Sequence, residues 1–121
     1  MTKNKIVITS AVRTAVGSLG KSLKNTPAEI LGAEVISNAI KKSKLNVNDP
    51  DEVIMGQVLT GSSGQNPARQ AAIKSGMPKE KTAYIVNQVC GSGIRSMASG
   101  YQSIKAGDSK IVVAGGQENM S

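Results

Sequence analysis

The sequence predicts an α/β fold, a single domain in 121 residues with the element order βαβαβαβ. Three observations carry that prediction. Short β-branched runs alternate with stretches of helical apolar spacing, and proline or asparagine opens the helices while glycine or polar turns close them. The chain also holds 13 glycines but only two tyrosines, with no phenylalanine or tryptophan. A core built from Ile, Val, Leu, Met and Ala calls for layers whose backbones approach closely.

Ile6-Val7-Ile8 reads as a first strand, buried on both faces because it does not alternate. Arg13 to Ser22 is a glycine-bearing connection. Thr26-Pro27-Ala28-Glu29 then carries the marks of a helix start: Thr26 as cap, Pro27 at the first helical position and Glu29 closing a capping box. Ala28, Leu31, Val35, Ile36, Ala39 and Ile40 form the apolar stripe, with lysines at the far end to suit the helix dipole. Glu52 to Leu59 reads as a second strand weakened at Gly56. After the loop Thr60 to Gln65, Asn66 caps a short helix that has Pro67 at its start and Gly76 at its stop. Tyr84-Ile85-Val86 is a third, buried strand. Cys90-Gly91-Ser92-Gly93 follows, and a helix opens at once with Ile94, Met97, Ala98, Tyr101 and Ile104 on one face. Gly107 ends that helix, and Ile111-Val-Val-Ala114 is the last strand. The sequence stops seven residues later in a glycine turn, which reads as a truncated end. Strand and helix alternation of this kind implies right-handed crossovers.

Composition removes several function classes. Nucleic-acid binding needs a basic stripe with stacking aromatics, and here the formal charge of +7 is scattered. That charge suits a nucleotide-bearing anionic substrate such as coenzyme A, or plain solubility. The lone cysteine excludes an internal disulfide framework and a multi-cysteine zinc site. With no histidine, the commonest metal ligand and general base are missing, and no metal is expected. The basic start Met1 to Lys5 and its short apolar run do not make a signal sequence. No apolar run is long enough to span a membrane, so the cytoplasm is the expected compartment.

Cys90 is the candidate catalytic residue. On composition alone, a lone cysteine is a small buried hydrophobe. On a sharp strand-to-helix turn it instead stands at the edge of a sheet, where substrate crevices form, beside helix N–H groups that stabilise a thiolate. Gly91 and Gly93 let the backbone come close to whatever group sits on the sulfur. Two other glycine patterns are weaker. Gly91-Ser-Gly93-Ile-Arg-Ser96 departs from a dinucleotide fingerprint at Ser96, and its acidic residue is at best Glu118, too late in the chain. Ala15 to Ser22 mimics a phosphate loop, but no helix follows Ser22 directly.

With these residues in view, the chain resembles the N-terminal part of the thiolases, and among them the biosynthetic acetyl-CoA acetyltransferases. The matching segments are Arg13 to Gly17, Glu52 to Thr60, Gly64 to Lys74, Val89 to Gly93 and Ile111 to Ser121, in order and from end to end. Cys-Gly-Ser-Gly and Gly-Gly-Gln-Glu-Asn-Met-Ser are specific together. Gln88 stands where the family commonly has lysine. The resemblance implies a thiolase-like fold, residues 1–121 being an incomplete N-terminal thiolase domain that supplies the βαβαβαβ portion of a mixed sheet.

It further implies that Cys90 takes an acetyl group from acetyl-CoA, with its own N–H as an oxyanion donor. The full reaction would join two acetyl-CoA into acetoacetyl-CoA and CoA, or run in reverse. Coenzyme A thioesters are then substrates, and no separate cofactor is expected. The family's activating histidine and second cysteine lie in its C-terminal half, so the isolated segment is expected to be inactive. Most coenzyme A contacts lie there too, and no coenzyme A-binding residue is assigned. Homo-oligomerisation, as dimer or tetramer, is expected of the full-length parent. Two other readings stand beside this one: a 3-ketoacyl-CoA thiolase of fatty-acid degradation, and a non-catalytic fragment acting in assembly.

Overall fold

The computed structural model describes residues 5–121. The reading of the basic start therefore lies largely outside the described residues. Three strands, β1 (Glu52–Gly56), β2 (Thr82–Val86) and β3 (Val112–Gly116), form a parallel sheet in the order β2-β1-β3. Helices α1 (Ala28–Lys42) and α2 (Pro67–Lys74) cover one face, and α3 (Ser92–Ala106) covers the other. The α/β class and alternating order are as the sequence implies, and the sheet among the described residues is wholly parallel.

β1 is central because its residues suit burial on both faces. Val53 and Met55 join Ile36 and Ile40 of α1, Ala68, Ala71 and Ala72 of α2, and Met77 in one core cluster. The alternate residues turn toward α3: Gly56 lies against Ser92, and Glu52 accepts hydrogen bonds from Ser103 and Ser109. Gly32 of α1 leaves room for the buried Gln117 side chain, which a Cβ would strike, and for close packing on α2, the Ala71 Cβ standing 3.2 Å away. Asp51 joins β1 to β3 at the other end of the sheet, accepting from the N–H groups of Lys110 (2.7 Å) and Ile111 (3.1 Å).

Several local expectations are corrected. Ile6-Val7-Ile8 forms no strand, and Val7 and Ile8 are 69% and 72% exposed. A strand must pair its backbone, yet this segment runs beside α1, where Ser10 Oγ donates to the Ala39 carbonyl (2.8 Å). A cavity of about 1550 Å³ separates it from the outer edge of β3. The capping box is absent as well. Pro27 occupies the cap position without a side-chain bond, and Glu29 pairs with Lys74 of α2 at 3.4 Å. β1 ends at Gly56 rather than Leu59, and β2 is a half-exposed edge strand rather than a buried one. The Asn66 cap forms as expected, accepting from the Arg69 N–H (3.2 Å).

α3 lies on a different face from the one its apolar spacing suggests. Ser92, Ser96 and Gly100 are its buried residues, while Ile94, Met97 and Tyr101 are exposed and line the large cavity. Small residues four apart let the helix backbone settle directly onto the strands. At Gly100 a Cβ would already stand 3.0 Å from Val112 Cγ1.

Candidate active site

The three strands end level with one another, Gly56 opposite both Val86 and Gly116. Over that C-terminal edge lies the start of α3. A Cβ on Gly56 would come within 2.6 Å of the Ser92 backbone, and one on Gly116 would stand 3.7 Å from Gly93 Cα. Two glycine strand ends therefore bring the helix N-terminus down onto the sheet. Cys90 sits in the turn between β2 and α3, exposed and free. The helix cap is Gly91, with no side-chain capping bond and no acidic residue in the first turn to offset its positive end. A Cβ at Gly93 would meet nothing within 4 Å, so the approach on that side is open.

Val89, immediately before Cys90, has φ +50°. For a β-branched residue this left-handed conformation is an outlier costing of order 1–3 kcal/mol. Hydrogen bonds surround it. The Val89 N–H donates to Asn87 Oδ1 (2.9 Å), and Ser92 Oγ donates to the Val89 carbonyl (2.6 Å) while accepting from the Gln88 N–H (2.8 Å). Asn87 Nδ2 donates to the Val58 carbonyl (3.2 Å), and the Val58 N–H donates to Glu118 Oε1 (2.7 Å). The Leu59 N–H donates to the other oxygen of Glu118 (3.2 Å). A continuous polar chain thus runs from the end of β3, through the loop after β1, to the turn that carries Cys90.

The chemistry available here is that of an accessible thiol beside the positive end of a 15-residue helix. The large cavity is not this site, for Cys90 does not line it. Among the described residues no cluster of three His, Cys, Asp or Glu side chains lies close enough to hold a metal ion.

Residues 6–121 match the family model for the thiolase N-terminal domain. The chain belongs to the thiolase family. It is similar to an acetyl-CoA acetyltransferase of Rhizobium meliloti (strain 1021), 53% identical over 121 residues, covering 100% of this chain and 31% of that protein. An acetyl-CoA acetyltransferase of Cupriavidus necator is 56% identical over 116 residues, covering 96% of this chain and 30% of its own. Among solved structures, the Acat5 thiolase from Ascaris suum in complex with coenzyme A superimposes with a TM-score of 0.80 at 39% identity. That match covers 82% of this chain and 26% of the Ascaris chain. The present chain therefore spans about a third of the length of the curated relatives it matches.

Several of the motif residues of this thiolase segment hydrogen-bond to the backbone or to one another. Arg69 Nη1 and Nη2 donate to the carbonyls of Lys81 (2.6 Å) and Lys79 (3.0 Å), and Gln70 donates to those of Ser63 and Gln65. In the Gly-Gly-Gln-Glu-Asn ending, Gln117 Nε2 donates to Gln57 Oε1 (2.9 Å) in the buried interior. Asn119 Nδ2 donates to the Thr26 carbonyl (2.8 Å). The stretch Ala15 to Ser22 stays a turn-bearing connection with no helix directly after it, and Ser96 of the near-fingerprint is fully buried in α3. Sequence reasoning singled out Cys90 but not Asn87 or Ser92, and it weighed Glu118 only as a late acidic residue of the dinucleotide pattern. The one available signal was that polar residues with short side chains flank the cysteine in a turn, where they bond to backbone.

Proposed function

We propose that the full-length protein carrying this segment is an acetyl-CoA acetyltransferase and that Cys90 is its acyl-carrying nucleophile. The observation that supports this most directly is the exposed Cys90 on a glycine-backed turn at the uncapped start of α3. Identity of 50–56% to acetyl-CoA acetyltransferases and acyltransferases over nearly the whole chain points the same way. In the first half-reaction the Cys90 sulfur attacks the thioester carbonyl of acetyl-CoA. A carbon–sulfur bond to Cys90 forms, the bond to coenzyme A sulfur breaks, and coenzyme A leaves with the electron pair. The negative charge on the carbonyl oxygen meets the positive helix end and the Cys90 N–H. In the second half-reaction the α-carbon of another acetyl-CoA, having lost a proton, attacks the acetyl group and expels Cys90 to give acetoacetyl-CoA. The chain has no histidine and no second cysteine, so both proton transfers fall to groups of the full-length protein outside these residues.

We place the parent in the cytoplasm as a homo-oligomer, with acetyl-CoA and acetoacetyl-CoA as its substrates. The test is to incubate the full-length protein with acetyl-CoA and map the modification by peptide mass spectrometry. An acetyl group on the Cys90 peptide, lost in Cys90→Ser, is the expected result. Its absence, or its presence only at other sites, ends the reading. Rates compared across acyl chain length separate an acetyl-specific enzyme from a longer-chain 3-ketoacyl-CoA thiolase.

A further inference from the structure

We infer that Ser92 and Asn87 are positioning residues that hold Val89 in its left-handed conformation and thereby aim Cys90. This rests on the reading of Cys90 as the acyl carrier. Val89 is 64% exposed in this chain, so packing within these residues does not hold its backbone in that unfavourable region. Hydrogen bonds to the two peptide groups around it do: the Gly91 and Ser92 N–H groups donate to the Gln88 and Val89 carbonyls, and the side chains of Asn87 and Ser92 add one bond each. Asn87 takes the Val89 N–H, whereas the Ser92 hydroxyl holds the Val89 carbonyl and the Gln88 N–H together.

Both capacities of the Ser92 hydroxyl are thus used within the turn, and the residue is buried against Gly56. It acts on Cys90 through the backbone, without a hydroxyl left to offer a substrate. Asn87 is oriented in turn by the Val58 carbonyl, and the Leu59 N–H of that same peptide group donates to Glu118. Freed of these bonds, Val89 would relax to negative φ. The Cys90 amide and sulfur would then swing away from the start of α3.

The experiment uses the full-length protein and four variants: Ser92→Ala, Asn87→Ala, Val89→Gly and the double variant Ser92→Ala/Val89→Gly. Single-turnover acetylation of Cys90 by acetyl-CoA should fall about 10- to 100-fold in Ser92→Ala, with KM little changed, because misplacement by an ångström costs rates of that size. Glycine bears no left-handed penalty, so the double variant should recover most of the loss. A role in folding alone would give no such recovery. Wild-type acetylation in Ser92→Ala, or no recovery in the double variant, overturns the inference. If Ser92→Ala does not fold, exposed Asn87 decides: Asn87→Ala should lose about 3- to 10-fold, the worth of one hydrogen bond, and an unchanged rate overturns the inference. Iodoacetamide alkylation of Cys90 in the same proteins keeps the two claims apart. Failure of the wild type to take acetyl ends the acyl-carrier reading, while the ranking of alkylation rates still judges Ser92 and Asn87.

Discussion

At the scale of single residues, Gly56 and Asp51 hold opposite ends of β1, and each makes a distinct prediction. Gly56→Ala would put a methyl group 2.6 Å from the Ser92 backbone, which has no flexible side-chain end to yield. The start of α3 must then move. Chemical denaturation should show a loss of about 1–3 kcal/mol, as for other overpacked sites, and in the full-length protein the proposed acetylation of Cys90 should fall with it. At the other end, the N–H groups of Lys110 and Ile111 and the nearby Lys81 charge hold the Asp51 carboxyl below its ordinary value of 3.8, outweighing partial desolvation. A lowered folded-state value means that the fold favours the ionised form. That stabilisation is complete above the unfolded value and is lost as pH falls through the lower folded value. Asp51→Asn should therefore melt below wild type at neutral pH, and the gap should narrow as pH is lowered from about 5 into the range below 3.8. A gap that stays constant over that range would refute the assignment. Neither role was legible from residue type, since both depend on partners about 36 and 60 positions away in sequence.

Elements were more legible than their faces. The Asn66-Pro67 start of α2 and the Gly107 end of α3 are local chemistry, so the sequence carried them directly. The face of α3 was not local. Its apolar spacing through Ile94, Met97 and Tyr101 is genuine helical periodicity, yet contact with the sheet is made by Ser92, Ser96 and Gly100. Steric room at the strands decided that, and hydropathy does not encode it. The reversal can be measured in this 121-residue chain. Ser96→Val adds bulk at a fully buried site and should cost about 1–3 kcal/mol, despite raising hydrophobicity. Ile94→Ser removes an apolar side chain that is 77% exposed and should change stability by no more than about 0.5 kcal/mol. The opposite ranking in urea melts would mean that α3 packs on its apolar face. Ile6 to Ile8 failed for a related reason: β-branched composition makes a strand only where an edge lies within pairing reach.

For the whole molecule the governing quantity is surface. A compact monomer of 12.5 kDa should expose roughly 6,200 Å² by the usual mass scaling, whereas this chain exposes 7705 Å². The excess has a location. Val7, Ile8, Val16 and Leu19 of the N-terminal segment, with Ile94, Met97 and Tyr101 of α3, are all exposed and line the cavity of about 1550 Å³ beside the outer edge of β3. Contiguous apolar surface around an unpaired strand edge is the combination that drives association. The +7 charge opposes it through repulsion that salt screens. Two consequences follow for the 121-residue chain studied alone. It should elute in sedimentation or light-scattering experiments above its monomer mass, increasingly so as salt is raised from about 0.01 to about 0.15 M, where the screening length falls from about 30 Å to about 8 Å. It should also bind a hydrophobic dye before any thermal transition, because the apolar lining is already open in the folded state. A monodisperse monomer at both salt concentrations, without dye binding and with one sharp cooperative melt, would show that the N-terminal segment closes over β3 and α3 in solution.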